Sequence, residues 1–280
     1  MKKLFKKLTC LTMALTATCA CAATFTACET NYPEVKLEIE FDGEVYELEY
    51  KLYRTVAPST VNHFLKLVEN GYYDGVCVHD YDASTGKLYT GAYTYSAGAD
   101  NGGLVYKNYY DIVKTYENFP HTVWGDENQQ TPTYTLYGEF SDNGFAVEKG
   151  IADDLFGSLS MYYTNKTTSE DKVSVKRNDG NGYSNKQYKY NSTTSMFAIA
   201  LSEDAKTSSA YCTFATLAED SVDTFNSLKE AIEAYEDDLT SVHTLEVDRD
   251  DAFVSDHGLT ASYSVPEVAI VIKKATVEKY

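Results

Sequence analysis

Residues 57–81, with the sequence APSTVNHFLKLVENGYYDGVCVHDY, constrain the fold more than any other stretch of this 280-residue chain. Pro58 stands where the first turn of a helix tolerates proline, and Gly71 follows the last turn. Between them, apolar side chains recur at helical spacing at Val61, Phe64, Leu65 and Val68. The segment therefore predicts a helix of about three turns that ends in a glycine-rich turn and leads directly into a strand.

The sequence on both sides of this helix has the pattern of β-strands. Residues 34–53 alternate apolar and polar side chains around Asp42-Gly43, which predicts a β-hairpin. Short β-type runs follow the helix, and apolar spacing predicts a second helix over residues 221–238. A last strand follows Pro266. This order predicts an α+β fold in which a largely antiparallel sheet is covered by two helices.

Three segments interrupt the pattern, at residues 97–133, 164–192 and 237–262. The first two are rich in Asn, Gly, Thr, Ser and Tyr, and the third is acidic with weak patterning. Loops of this length are unusual in a compact domain, so we predict that all three are loop insertions. Tyrosine beside Asn, Ser and Gly is typical of adaptable binding loops, although solvated segments without a binding role fit the composition equally.

The N-terminus has the features of a targeting segment. The basic start MKKLFKK is followed by an uncharged run of apolar and small residues that ends in FTAC. This pattern resembles the cleavage box of bacterial lipoproteins, which predicts a signal peptide at residues 1–27, lipidation of Cys28 and a tether over residues 28–34. Cys19 or Cys21 could compete for the lipid, and a retained anchor helix is the alternative. We therefore expect a domain at residues 35–280, held at the extracytoplasmic face of a bacterial membrane through the lipid anchor only.

Charge and cysteine content exclude several classes of function. The net charge of −18 repels nucleic acid, so no nucleic-acid partner is predicted. Outside the targeting segment the only cysteines are Cys77 and Cys212, which could form a disulfide or be two buried thiols. Strand alternation places Cys77 and His79 on one face and Asp80 on the other, so these side chains are not expected to form a metal site. No cofactor is predicted either.

Several strings resemble the cyclophilin family of peptidyl-prolyl cis-trans isomerases. The run from PSTVNHF to GYYDG is similar to the first helix of that family and the turn after it. Weaker similarities follow in the same order at GKLYTGAY, LYGEF, FGSLSMYY, SMFAIAL and YCTFATL. The resemblance covers residues 35–280 with interruptions. It implies a mainly β fold: a closed eight-stranded antiparallel barrel capped by two helices, with a peptide groove on its outer face.

The resemblance also implies which residues occupy the groove. Rotation of an X-Pro amide must overcome about 18–20 kcal/mol, and in the family an arginine hydrogen-bonds near this amide while an apolar pocket holds the proline ring. Here the arginine position falls on Asp80, an anion. Other catalytic positions fall on Lys87, Leu88, Thr90, Ala198 and Tyr211, and the implied peptide groove comprises His79, Leu88, Met161, Tyr162, Phe197 and Tyr211.

These replacements leave open whether the protein is an enzyme. An aspartate removes a planar multi-donor cation and adds a charge that repels a carbonyl oxygen. We therefore expect binding of proline-containing or unfolded exported polypeptides with weak or no isomerase turnover. One alternative is an active, divergent isomerase that assists folding outside the membrane, with another cation such as Lys87 reaching the groove. A second is a non-enzymatic surface protein that binds its partner through the Tyr-rich loops.

Overall fold

The computed structural model describes residues 30–143, 145, 156–162, 172–177, 181–187, 193–205, 211–235, 240–247 and 259–280. Residues 30–279 form one compact unit, and the other unit comprises residues 1–29, which lie outside the described residues, and Tyr280. The signal peptide and the lipidation of Cys28 therefore stay predictions. Within the described part of the chain, no helix is long and apolar enough to cross a membrane.

Fourteen strands and three α-helices lie within the described residues. The strands are β1 Glu34–Phe41, β2 Glu44–Leu52, β3 Val76–Asp82, β4 Lys87–Tyr95, β5 Leu104–Tyr106, β6 Val123–Trp124, β7 Leu159–Tyr162, β8 Lys172–Lys176, β9 Tyr183–Gln187, β10 Phe197–Ala200, β11 Tyr211–Leu217, β12 Thr240–Val247, β13 Leu259–Pro266 and β14 Val271–Lys279. The helices are α1 Pro58–Glu69, α2 Tyr109–Val113 and α3 Val222–Ala234.

Eight of these strands pair into a closed antiparallel ring. The order is β10-β7-β11-β2-β1-β14-β3-β4, and β4 pairs back to β10 to close it. Strand β5 adds to the end of β4 as a ninth member. The predicted hairpin is present as β1 and β2, and Asp42 and Gly43 both have positive φ at its turn. The predicted eight-stranded barrel is therefore confirmed.

The two longer helices bury their apolar faces in the barrel core. Helix α1 packs against β14, and α3 packs against β1 and β2. From α3 the buried side chains are Phe225, Leu228 and Ile232, which are the positions expected from its apolar spacing. Ala57 offers α1 no capping side chain. Instead the Glu139 carboxylate accepts hydrogen bonds from the backbone N–H groups of Ser59 (3.2 Å) and Thr60 (2.8 Å).

The three predicted insertions contain more regular structure than expected. Segments 97–133 and 164–192 supply the three-stranded sheet β6-β8-β9, and segment 237–262 supplies most of the β12–β13 ladder. The expectation of loops alone is corrected for these parts. In β12 the half-buried positions Ser241 and His243 are polar, and among residues 241–245 only Leu245 is buried, so the alternation is hidden from a hydrophobicity pattern.

Tyrosines of the first insertion are less exposed than the sequence indicates. Tyr109 is 2% exposed, belongs to the barrel core, and donates its hydroxyl to the carbonyl oxygen of Tyr134 at 2.7 Å. Tyr106, Tyr110 and Tyr116 are each partly buried. The expectation of exposed tyrosines is therefore wrong for Tyr109, because its ring fills space inside the fold. The hypothesis that binding occurs through the loop tyrosines stays a prediction for the others, of which Tyr183 is 43% exposed.

The two cysteines are free thiols in different clusters. Cys212 lies in the barrel core, whereas Cys77 belongs to a smaller apolar cluster on the outer side of β3 and β4. Burial raises the pKa of each thiol to about 12. Of the two possibilities left open by the sequence, the structure shows two buried thiols.

Candidate functional site

A β-bulge in β3 determines which side chains reach the outer face of the barrel. Val78 pairs with Thr90, whereas Asp80 pairs with Tyr89, so His79 is the extra residue of β3 between two adjacent pairs. Both His79 and Asp80 contact β13, which lies over this side of the sheet. The expectation that they point to opposite faces is wrong, because strand alternation fails at the bulge.

Asp80 accepts a hydrogen bond where the family resemblance implies a cationic donor. Its Oδ1 atom is 2.8 Å from the backbone nitrogen of Ser264, which donates to it. Burial raises the pKa of Asp80 to about 6, the Ser264 hydrogen bond opposes that rise, and the neighbouring Asp82 adds to it. The site therefore presents a hydrogen-bond acceptor that carries partial or full negative charge near neutral pH.

Three tyrosines beside Asp80 form what we call the outer tyrosine cluster: Tyr89, Tyr162 and Tyr211. The hydroxyl oxygens of Tyr89 and Tyr211 are 2.8 Å apart, and the ring centroids of Tyr162 and Tyr211 are 5.7 Å apart. The Lys87 ammonium lies 3.9 Å from the centroid of the Tyr211 ring, within cation–π range. Lys87 is itself 1% exposed, so this cation is held beneath the cluster.

His79 is a buried neutral residue at the inner end of the site. Its Nε2 atom is 3.5 Å from the Tyr162 hydroxyl, and its ring packs edge-on against Tyr263 at 4.9 Å. Nδ1 has no hydrogen-bond partner among the described residues. Burial lowers the pKa of His79 to about 3, so the ring stays uncharged at neutral pH and supplies no cation to the site.

Four predicted site residues point into the barrel core. Leu88, Met161 and Phe197 are completely buried members of the core cluster, and Thr90 donates its hydroxyl to the carbonyl oxygen of Cys77 at 2.8 Å. The placement of Leu88, Met161 and Phe197 in the groove, and of Thr90 among the catalytic positions, is therefore corrected, because alternation along β4, β7 and β10 turns them inward. The outward residues of the same strands include Tyr89 and Ala198, which pair directly with each other.

Strands β12 and β13 cover part of the outer face, and we call them the covering hairpin. Tyr263 packs against His79 and Tyr93, and Ser264 binds Asp80 through its backbone. Leu245 and Val265 complete the apolar cluster that contains Cys77 and Tyr93. Sequence analysis missed this cover. The available signal was the β-branched and aromatic content of VHTLEV and LTASYSV, which alternation alone does not reveal.

The described part of the outer face combines a hydrogen-bond acceptor with aromatic rings. Its exposed parts are an acidic acceptor and the partly exposed rings of Tyr162 and Tyr211. The one cation that the described residues place at the cluster, Lys87, is buried against Tyr211. Ala198 leaves no bulky apolar floor for a proline ring. Within the described residues, the structure also brings together no three His, Cys, Asp or Glu side chains that could hold a metal ion.

Comparison with known proteins identifies the family. Residues 36–247 match the family model described as cyclophilin type peptidyl-prolyl cis-trans isomerase/CLD. Proteins named as peptidyl-prolyl cis-trans isomerases in Staphylococcus haemolyticus and Staphylococcus epidermidis are 38% and 40% identical over 58 residues, each match covering 18% of this chain. The chain spans only 29% of the length of either relative.

Solved cyclophilin structures also align with this chain. A cyclophilin type peptidyl-prolyl cis-trans isomerase of Cryptosporidium parvum is 16% identical, with a TM-score of 0.43, and the alignment covers 89% of this chain and 99% of that one. The Mimivirus cyclophilin is 14% identical with a TM-score of 0.42, over 90% of this chain and 91% of its own. On the strength of the family-model match, this chain belongs to the cyclophilin-type peptidyl-prolyl cis-trans isomerase family.

Proposed function

We propose that this cyclophilin-like domain binds proline-containing or extended peptide segments of exported proteins with weak or no isomerase turnover. The observation that carries the proposal is the contact between the Asp80 carboxylate and the Ser264 N–H at 2.8 Å. At the position where the family resemblance implies an arginine, this chain therefore has a hydrogen-bond acceptor that already binds the backbone of Ser264.

Turnover requires the twisted amide to be bound more tightly than either planar isomer. Removing one preorganised electrostatic donor from an active site typically costs 10²- to 10³-fold in rate. Here the donor is replaced by an acid whose charge opposes the carbonyl oxygen of a bound amide. The catalytic preference for the twisted state is therefore lost, whereas affinity for planar peptide is not.

Binding is supported by the aromatic character of the exposed surface. Proline-rich segments in the polyproline II conformation dock into grooves lined by aromatic rings, because the preformed helix loses little entropy. Tyr162 and Tyr211 present two such rings 5.7 Å apart, and Asp80 can accept a peptide N–H beside them. This arrangement favours planar, extended peptide as the ligand.

The proposed location rests on the N-terminal sequence. A lipid on Cys28 would hold the domain at the extracytoplasmic face of a bacterial membrane, where the available segments are those of exported proteins. Metabolic labelling with a palmitate analogue tests this location. The label should appear on the wild-type chain and be absent from Cys28→Ala, and equal labelling of both would reject Cys28 as the anchor.

The function is tested by measuring turnover and binding separately on residues 29–280. A protease-coupled assay with a prolyl tetrapeptide should give a rate at least about 10²-fold below that of an active cyclophilin. In titration calorimetry, a proline-rich peptide should bind and the same peptide with alanine for proline should bind more weakly. A rate typical of the family would refute the first claim, and equal affinity for the two peptides would refute the second.

The contribution of the tyrosines is tested by two matched substitutions. Tyr211→Ala should weaken binding of the proline-rich peptide, because it removes one of the two partly exposed rings. Tyr183→Ala removes a tyrosine that is 43% exposed on β9, outside the outer tyrosine cluster, and should leave binding unchanged. Loss of binding in both variants, or in neither, would argue against the cluster as the peptide site.

A further inference from the structure

A second recessed surface lies between the start of α1 and the hairpin of β8 and β9. It consists of two adjoining cavities of about 410 and 320 Å³. The residues that line both cavities are Tyr137, Val175, Lys176 and Arg177. We call the two together the basic cleft. None of the residues in the outer tyrosine cluster lines it, so it is separate from the proposed peptide site.

The charge of the basic cleft is opposite to that of the whole protein. Lys176, Arg177 and Lys186 line it, and no acidic side chain of the described residues is part of its lining. The chain as a whole has 42 acidic and 24 basic residues. A three-cation concavity in such a protein attracts anions locally, because the low-dielectric walls concentrate the field of the cations.

The register of β8 and β9 explains how Lys186 meets apolar walls. Val173 pairs with Lys186 and Val175 pairs with Ser184, so these side chains share one face of the small sheet. On that face Val173 and Val175 pack with Val123 and Tyr137 in a separate apolar cluster. Lys186 therefore carries its charge across an apolar surface, with its ammonium 5.7 Å from the Tyr137 ring centroid.

Aromatic rings form one side of the larger cavity. The rings of Tyr137 and Phe145 are 6.3 Å apart and both belong to its lining. The nearby N-terminus of α1 does not contribute anion binding, since the Glu139 carboxylate already accepts from the N–H groups of Ser59 and Thr60. Within the described lining, the charged groups that can bind an anion are therefore the lysine and arginine side chains.

We propose that the basic cleft binds a phosphate monoester carried on an aromatic or apolar group. Arginine binds phosphate bidentately through its planar fork, and lysine adds point charges, so three cations match a dianion better than a single carboxylate. The rings of Tyr137 and Phe145 provide the surface for the group that bears the phosphate. This binding does not depend on the proposed peptide function of the groove.

Trp124 offers an optical readout, because it lies on β6, is the only tryptophan of the chain, and pairs with Ser174 on β8. The full chain is titrated with phenyl phosphate while tryptophan fluorescence and calorimetric heat are recorded. Inorganic phosphate, benzoate and phenol serve as comparison ligands. We expect saturable binding of phenyl phosphate, at least tenfold weaker binding of inorganic phosphate and of benzoate, and none of phenol.

Two variants assign the binding to this cleft. The double variant K176Q/R177Q should weaken phenyl phosphate binding at least tenfold, and Lys274→Gln, an exposed lysine of β14, should leave it unchanged. Lys186→Gln removes a cation from the neighbouring strand and should also weaken binding, which keeps the test valid if the double variant misfolds. No saturable binding, affinity for phenol equal to that for phenyl phosphate, or full affinity in both cleft variants would overturn the proposal.

Discussion

Asp80 is the residue at which this chain keeps the strand pattern of the family but differs from the side chain that the family resemblance implies. The turn before β3 and the start of that strand follow the family pattern, yet the bulge at His79 sets Asp80 on the outer face beneath Ser264. Because the carboxyl group is partly buried, and the Ser264 N–H offsets only part of the cost of that burial, its pKa is higher in the folded state than in the unfolded chain. Because the pKa of Asp80 differs between the folded and the unfolded chain, its effect on the free energy of unfolding can be measured as a function of pH.

Stability should depend on pH through Asp80. Its pKa is raised from 3.8 to about 6 by folding, so the folded state retains its proton where the unfolded chain has lost it. The contribution of Asp80 to the free energy of unfolding is therefore full below about pH 4 and falls as pH rises towards 6. Urea unfolding of wild type and Asp80→Asn between pH 4 and 7 should show wild type losing stability relative to the variant. A wild-type protein that gains stability relative to Asp80→Asn as pH rises would contradict this assignment.

The two thiols provide a second test at the level of single residues. Burial raises the pKa of Cys77 and Cys212 to about 12, and the thiolate is the reactive form. A colorimetric disulfide reagent added to residues 29–280 at pH 8 should therefore react slowly with the native protein. It should titrate both thiols at once in denaturant without reductant. Absence of reaction in denaturant would mean that the two cysteines are joined.

At the scale of elements, α1 depends on a carboxylate from a distant segment. Glu139, in the LYGEF string, accepts from two backbone N–H groups of α1 and from the Thr60 hydroxyl at 2.8 Å. It thereby does what a capping side chain would do for a helix whose own N-cap residue is Ala57. The first helix and the LYGEF segment are therefore energetically coupled, although they are far apart in sequence.

Removing this carboxylate should destabilise the whole domain. Glu139→Ala leaves donors of Ser59 and Thr60 without their partner, which costs about 2–3 kcal/mol in the free energy of unfolding. Glu69→Ala is the control, since Glu69 forms a surface ion pair with Lys66 at the other end of α1, at 2.6 Å, and should cost less than about 1 kcal/mol. Chemical denaturation measures both variants, and equal losses would show that capping by Glu139 is unimportant.

Elements with strong periodicity were predictable from the sequence, and the site was predictable only in part. The hairpin around Asp42-Gly43 and helix α1 follow from alternation and helical spacing. The outward positions of β4 do not follow from alternation alone, because the register changes at the bulge next to His79. The family resemblance indicated Leu88, which lies in the core, and not the outward residue Tyr89. The covering hairpin was missed because two half-buried positions of β12, Ser241 and His243, are polar and interrupt the apolar alternation.

For the whole molecule, the covering hairpin links the acceptor at position 80 to the architecture of the outer face. It contributes Tyr263 against His79 and the Ser264 N–H to Asp80, while Leu245 and Val265 bury apolar surface of β3 and β4. The acceptor at position 80 and the donor on β13 are complementary. An arginine at position 80 would instead face a backbone donor, so the two features belong together.

This complementarity predicts that restoring the family's arginine does not restore activity. In Asp80→Arg a guanidinium meets the Ser264 N–H, donor against donor, and loses the one hydrogen bond that Asp80 makes to β13. Ala198 still provides no pocket floor, and the Tyr89–Tyr211 pair still occupies the outer face. The protease-coupled assay should therefore give a rate within about threefold of wild type, far below the 10²- to 10³-fold gain that a working donor supplies.

The interpretation of that experiment depends on a folded variant, which circular dichroism and the urea midpoint establish. A folded Asp80→Arg protein with a large gain in rate would show that one side chain alone separates this groove from an active one. The opposite result, a folded protein without a gain, would mean that the tyrosines and the covering hairpin also have to change. In that case the isomerase rate of this chain is set by the whole outer face and not by position 80 alone.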